Sequence, residues 1–85
     1  MNIPRRVNLP FGYVIQVKQL TRSEFTEECG ECYAMWESLH NGGIIYVSKG
    51  RNIKKRRADF AHEMMHAVAD WQVWALDSRH VNVRG

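Results

Sequence analysis

A chain of 85 residues with 45% apolar side chains and a net charge of +3 is large enough for one packed core, too short for a second and too apolar to stay disordered. It is therefore read as a single domain spanning 1–85. No stretch reaches the roughly 18 apolar residues of a membrane helix, and positions 1–6 open no signal-type apolar segment, so a cytoplasmic protein with no membrane partner is expected.

Much of the positive charge is gathered in Lys54-Lys55-Arg56-Arg57, with Lys49 and Arg51 just ahead. A run of this kind is expected to be a solvated face, and nucleic acid is not an expected partner.

Positions 1–10 read as an extended arm, because Pro4 and Pro10 each turn the preceding residue away from helix. Tyr13, Ile15 and Val17 then alternate with Val14, Gln16 and Lys18, which predicts a half-buried strand over 12–20. The polar stretch 21–31 predicts a loop with room for a helical turn, pinned to the core by Phe25. A second strand is predicted over 32–39, with Cys32, Ala34 and Trp36 on one face and Tyr33, Met35 and Leu39 on the other.

Asn41-Gly42 is a strong type I′ hairpin signal, since both central residues of that turn need positive φ. It leads to a third strand at 44–48, closed by Lys49-Gly50, with Leu39 expected opposite Ile44 and Glu37 opposite Tyr46. Asn52 is placed to cap a helix over 53–76. Four cations in the first turns of that helix oppose its dipole, so they are expected to meet a partner, or Arg57 to reach a carboxylate within the fold. The tail at 77–85 shows no periodicity.

The chemistry sits on the helix, in His62-Glu63-Met64-Met65-His66. Residues four apart lie one turn above each other, so His62 and His66 project from one face and can hold one metal ion. Zinc fits neutral imidazole, and in catalytic sites it leaves a position for water. Glu63 flanks the same face, where a general base for that water belongs. Flanking Phe60, Ala61, Met64, Ala67, Val68 and Trp71 bury most of the helix, while this stripe stays polar.

The strand Gly43-Ile44-Ile45-Tyr46-Val47, the basic segment Lys55-Arg56-Arg57 and the run Phe60-Ala61-His62-Glu63-Met64-Met65-His66-Ala67 resemble, in that order, the zincin-like metallopeptidase domains of the ImmA/IrrE type and the short zincin-like proteins of phages and bacteria. The resemblance covers 32–71. It implies an α+β fold, a small antiparallel sheet of about three strands packed on one long helix. It also implies zinc on His62 and His66, Glu63 as the base of a zinc-dependent peptidase, and a peptide substrate laid along 44–48 as an edge strand by β-augmentation.

Zincins of this kind take a third protein ligand, and no Glu follows Glu63 in this chain. Asp70 lies about 12 Å along the axis from His62, a position suited to accepting from His66 or orienting a water. His80 can serve as the third ligand if the helix stops near Leu76. With only one wall of a cleft in the chain, a protein partner or an oligomer is expected to complete it.

Two other readings stand beside this one. Cys29 and Cys32 form a C-x-x-C that, with His62 and His66, spells a structural Cys₂His₂ zinc module with a basic nucleic-acid-binding face. The gap from Cys32 to His62 is 29 residues, however, where a finger has about 12. Alternatively, the zincin fold is kept for binding without turnover. For the thiols themselves the simplest expectation is a reduced pair with no chemistry.

Overall fold

Alternation of apolar and polar side chains sets the strands, and a 3–4 spacing of large apolar residues sets the helix that covers them. The computed structural model describes residues 3–29 and 33–77, the side chains of 26–29 excepted. In chain order it contains β1 (Arg6–Leu9), a single 3₁₀ turn (Pro10–Gly12), β2 (Tyr13–Leu20), α1 (Arg22–Cys29), β3 (Ala34–Leu39), β4 (Gly42–Ser48) and α2 (Ile53–Asp77). The four strands form one sheet in the order β1-β2-β4-β3. β1–β2 and β3–β4 are antiparallel, and β2–β4 is parallel.

The α+β class and the single long helix agree with the sequence reading, but the sheet is mixed and has four strands where about three antiparallel ones were expected. The additional strand comes from the arm. Val7 and Leu9 are half-buried and Arg6 and Asn8 exposed, the same period-2 pattern as β2 in a shorter run. Pro10 does not block it, because it stands outside the ladder at the start of the following turn. There Phe11 adopts φ 71°, while Trp71 Nε1 donates to the Pro10 carbonyl at 3.1 Å.

The expected loop at 21–31 is instead a helix of two turns, α1. Its start is a capping box. Thr21 N and Oγ1 donate to Glu24 Oε1 at 2.9 and 2.8 Å, and Glu24 N donates back to Thr21 Oγ1 at 3.4 Å. These bonds to the ionised form hold the Glu24 carboxyl below the usual range of a glutamate, the backbone one most of all. Phe25 is buried, as expected. Together α1 and β3 make the crossover that a parallel β2–β4 pair requires.

The β3–β4 hairpin forms with its turn one residue early. Leu39 pairs with Gly42 and Glu37 with Ile44, so His40 and Asn41 are the central residues and neither has positive φ. The cause is tertiary. A Cβ on Gly42 would overlap the Val14 carbonyl oxygen, so this glycine, at φ 149°, is used where β4 meets β2. Because the partner residue shifts by two, every side chain keeps its face; Glu37 and Tyr46, expected as a pair, still touch through a 3.1 Å bond from Tyr46 Oη to Glu37 Oε1.

Asn52 caps α2 as expected, with Lys55 N donating to Asn52 Oδ1 at 2.9 Å. The core lies between α2 and one face of the sheet. Tyr13, Ile15 and Val17 of β2 and Ile45 and Val47 of β4 meet Ala67, with Phe60, Met64, Trp71 and Trp74 packed around them. Each large apolar side chain fully buried here contributes about 1.5–3 kcal/mol. Trp74 tilts against Tyr13 with ring centroids 4.9 Å apart. Gly43 leaves room for the Trp36 ring, which a Cβ there would overlap. Among the described residues no helix is long and apolar enough to cross a membrane.

Candidate functional site

The sheet face fixes the rotation of α2, and that rotation decides where the motif points. With Phe60, Met64, Ala67, Trp71 and Trp74 turned to the sheet, the stripe Asp59, Glu63, His66 and Asp70, at spacings of four, three and four, lies along one flank. Both ends of this flank are tied to the β3 side of the sheet. Asp59 Oδ2 and Oδ1 accept from Arg51 Nε and Nη2 at 3.0 and 3.2 Å, and Arg51 stacks 4.5 Å over the ring of Tyr33, the residue before β3. Asp70 Oδ2 accepts from Trp36 Nε1 of β3 at 2.6 Å. Glu63 and His66 sit between the two ties along the helix, and His62 stands one turn before His66.

Exposure follows from this placement: His62 and His66 are exposed and Glu63 is half-buried. The two imidazoles lie with ring centroids 5.0 Å apart and planes 77° to each other. A tetrahedral zinc with Zn–N bonds of about 2.0–2.1 Å places the centroids of two imidazole ligands about 5 Å apart. The observed ring separation is of that size. Among the described residues, no three His, Cys, Asp or Glu side chains gather into a group that could hold a metal, so the two histidines are a pair without a third protein donor there.

Asp70 has a partner the sequence reading did not name, the Trp36 indole. The same charge acts on Tyr13, whose phenol is pushed up from its ordinary value mainly by burial and further by Asp70. His80, the expected third ligand, lies outside the described residues, as do Cys32 and the Cys29 side chain.

Two further expectations are corrected. The strand at 44–48 is not an edge: β4 is paired on both sides, by β2 and β3, and among the described residues the outer strands are β1 and β3. Among the described residues Arg57 does not reach a carboxylate. Arg51 takes Asp59, Arg56 Nη1 donates to Gln19 Oε1 at 2.9 Å, and Arg57 is exposed.

Sequence reasoning missed the Arg51–Asp59 and Trp36–Asp70 ties. The Asp59 and Asp70 positions, one on each side of the motif on the same helical stripe, were the signal that could have raised them. Compared with family models, characterised proteins and solved structures, the chain matches none. Class and function therefore rest on its own residues, an α+β domain with a four-stranded mixed sheet under one long helix.

Proposed function

We propose that this chain is a minimal zincin-like domain that hydrolyses peptide bonds, with His62 and His66 holding zinc and Glu63 as general base. The observation that carries the reading is the pair of imidazoles at 5.0 Å on the helix that also carries the half-buried Glu63 carboxylate. When bound, zinc supplies a Lewis acid and lowers the pKa of a water to about 7.

The chain's own residues do the rest. Glu63 takes a proton from the attacking water and returns it to the leaving amine nitrogen. The unpaired backbone of β3 holds the peptide in extended form through main-chain hydrogen bonds, so specificity for side chains is weak. His80 is this chain's candidate for a third ligand, and a protein partner or second copy supplies the missing wall of the cleft. A cytoplasmic setting with reduced thiols accords with zinc held by nitrogen.

Zinc content after dialysis tests the site. Wild type should retain about one equivalent and His62→Ala and His66→Ala should lose it, because each substitution removes one of the two histidine ligands. Equal zinc in all three would refute the reading. Turnover of an unstructured peptide library then tests the reaction: Glu63→Gln should keep zinc and lose about 10²–10⁴-fold in rate. Zinc bound in both proteins with no turnover in either would point to a zincin fold kept for binding.

A further inference from the structure

The fold separates charge. Positions 7–15, 34–48 and 58–77 contain no Lys or Arg, so every cation of the described residues falls on the half of the molecule at the N-terminal end of α2. Pairings across the fold bring dispersed parts of the sequence there. Arg56 reaches Gln19 at the end of β2, Lys49 N donates to the Leu20 carbonyl at 2.7 Å, and the Arg5 carbonyl accepts from Val17 N at 2.9 Å. Lys18 lies beside Tyr46 in the ladder. Arg22, at the start of α1, stands against Gly50 and, with Arg51, faces the partly exposed Tyr33 ring.

Within this basic half, Lys54, Lys55 and Arg57 are exposed and make no ion pair among the described residues. They stand in the first turns of α2, where each works against the helix dipole and repels its neighbours. A local rule broken three times, with no ion pair among the described residues to offset it, points to compensation from outside.

We infer that this end of the molecule binds the phosphate backbone of a nucleic-acid duplex. The cations are spread over strand, connection and helix, and do not converge on one pocket. That distribution matches a polymer carrying one charge per about 1.7 Å of its axis better than a single phosphate group. α1 carries Glu24 beside the basic surface, where Lys49 acts on its carboxyl. A flat anionic bilayer would press against this acid, whereas a rod can follow the cations and pass it by. The contact is to backbone, so it is independent of base sequence, and it does not depend on the metal site.

The test is fluorescence anisotropy of the full chain with a labelled DNA duplex of mixed sequence, from about 50 to 200 mM salt, the range over which phosphate contacts weaken measurably. Wild type should bind, with affinity falling steeply as salt rises. Lys54→Gln/Lys55→Gln/Arg57→Gln should lose at least about tenfold in affinity, and its slope of log affinity against log salt should be shallower by about 2.7, at 0.9 per phosphate contact. Melting of the same variant separates binding from folding: removing cations that oppose the dipole should leave the Tm unchanged or raise it. Should the triple variant fail to fold, Lys54→Gln/Lys55→Gln should show a slope shallower by about 1.8.

His62→Ala should keep duplex binding in full, so this inference and the zinc reading fail separately. The inference is overturned by no duplex binding at the lowest salt, or by triple-variant binding equal to wild type. It is equally overturned if polyglutamate or phosphatidylglycerol vesicles bind more tightly than the duplex, which would assign the surface to an acidic protein or a membrane.

Discussion

Replacing Asp70 by Asn keeps the side-chain volume and one acceptor oxygen but removes the charge that Trp36 Nε1 meets at 2.6 Å. A hydrogen bond to a charged group contributes about 1.5–3 kcal/mol and a neutral one about 0.5–1.5, so the difference is about 1 kcal/mol before solvent acts on it. Asp70 is exposed and water screens it, which leaves about 0.5–1 kcal/mol. In a domain of this size that lowers the Tm by about 2–6 °C.

Two assays read the change independently. Thermal unfolding followed by tryptophan fluorescence gives the Tm. Difference absorbance of the phenolate gives the titration of Tyr13, which should move down toward the ordinary tyrosine value without reaching it, because burial, the larger cause, remains. Zinc content should not change. If Asp70 instead served His66, zinc affinity would fall about 10–100-fold while Tm and the Tyr13 titration stayed put. That combination would refute the assignment of Asp70 to Trp36.

Other expectations follow from the same geometry. Gly42→Ala places a methyl group against the Val14 carbonyl and forces φ 149° on a residue that avoids it. It should cost about 3 kcal/mol or more and show as a collapse of the urea midpoint, and a loss under 1 kcal/mol would rule out the close approach. On acidification the Glu24 contribution, carried by a carboxyl held below its usual range, is present above the ordinary glutamate pKa and is lost as pH falls through the folded value. Thr21→Ala should lower the Tm at neutral pH and reduce this acid dependence only in part, because the backbone N–H of residue 21 still donates to Glu24, whereas Glu24→Gln should remove it; an unchanged acid limb in Glu24→Gln would argue against the capping box. At alkaline pH the sign is reversed. With Tyr13 raised, folding favours the protonated phenol, so stability is intact below the ordinary tyrosine pKa and falls as pH rises through the folded value. Tyr13→Phe should weaken that alkaline loss.

What the sequence revealed and what it hid divide along local and non-local lines. The cap at Asn52, the length of α2, the β3–β4 hairpin and the common flank of Glu63 and His66 depend on neighbours within a few residues, and all can be read from spacing. The capping box Thr21-Arg22-Ser23-Glu24 was equally local and was overlooked because the stretch around it is polar. β1 escaped because the prolines flanking it, Pro4 and Pro10, obscured a short alternation. The order of the strands could not be read at all. Whether 44–48 is an edge depends on β2 choosing β4 as its parallel neighbour, a pairing across 28 residues that no local pattern encodes. The same long-range choice moved the turn from Asn41-Gly42 to His40-Asn41, since Gly42 was needed against Val14. Trp36 and Asp70 meet across 34 residues, so the partner of Asp70 was hidden for the same reason.

The position of β4 between β3 and β2 also imposes an order on folding. Leu39 and Gly42 close a turn of four residues, whereas Val14 and Gly42 must meet across the whole crossover, and chain entropy opposes the longer closure more. The β3–β4 hairpin can form first, on a microsecond scale, and present its other edge as a template for β2, while the β1–β2 hairpin, closed by a turn nearly as short at Leu9 and Tyr13, is the competing nucleus. Substitutions should divide accordingly in stopped-flow refolding. Ile44→Val, in the hairpin, should mainly slow folding, while Val7→Ala, in β1, should mainly speed unfolding. The reverse partition would mean that β1 and β2 form the nucleus and that the hairpin is captured by them.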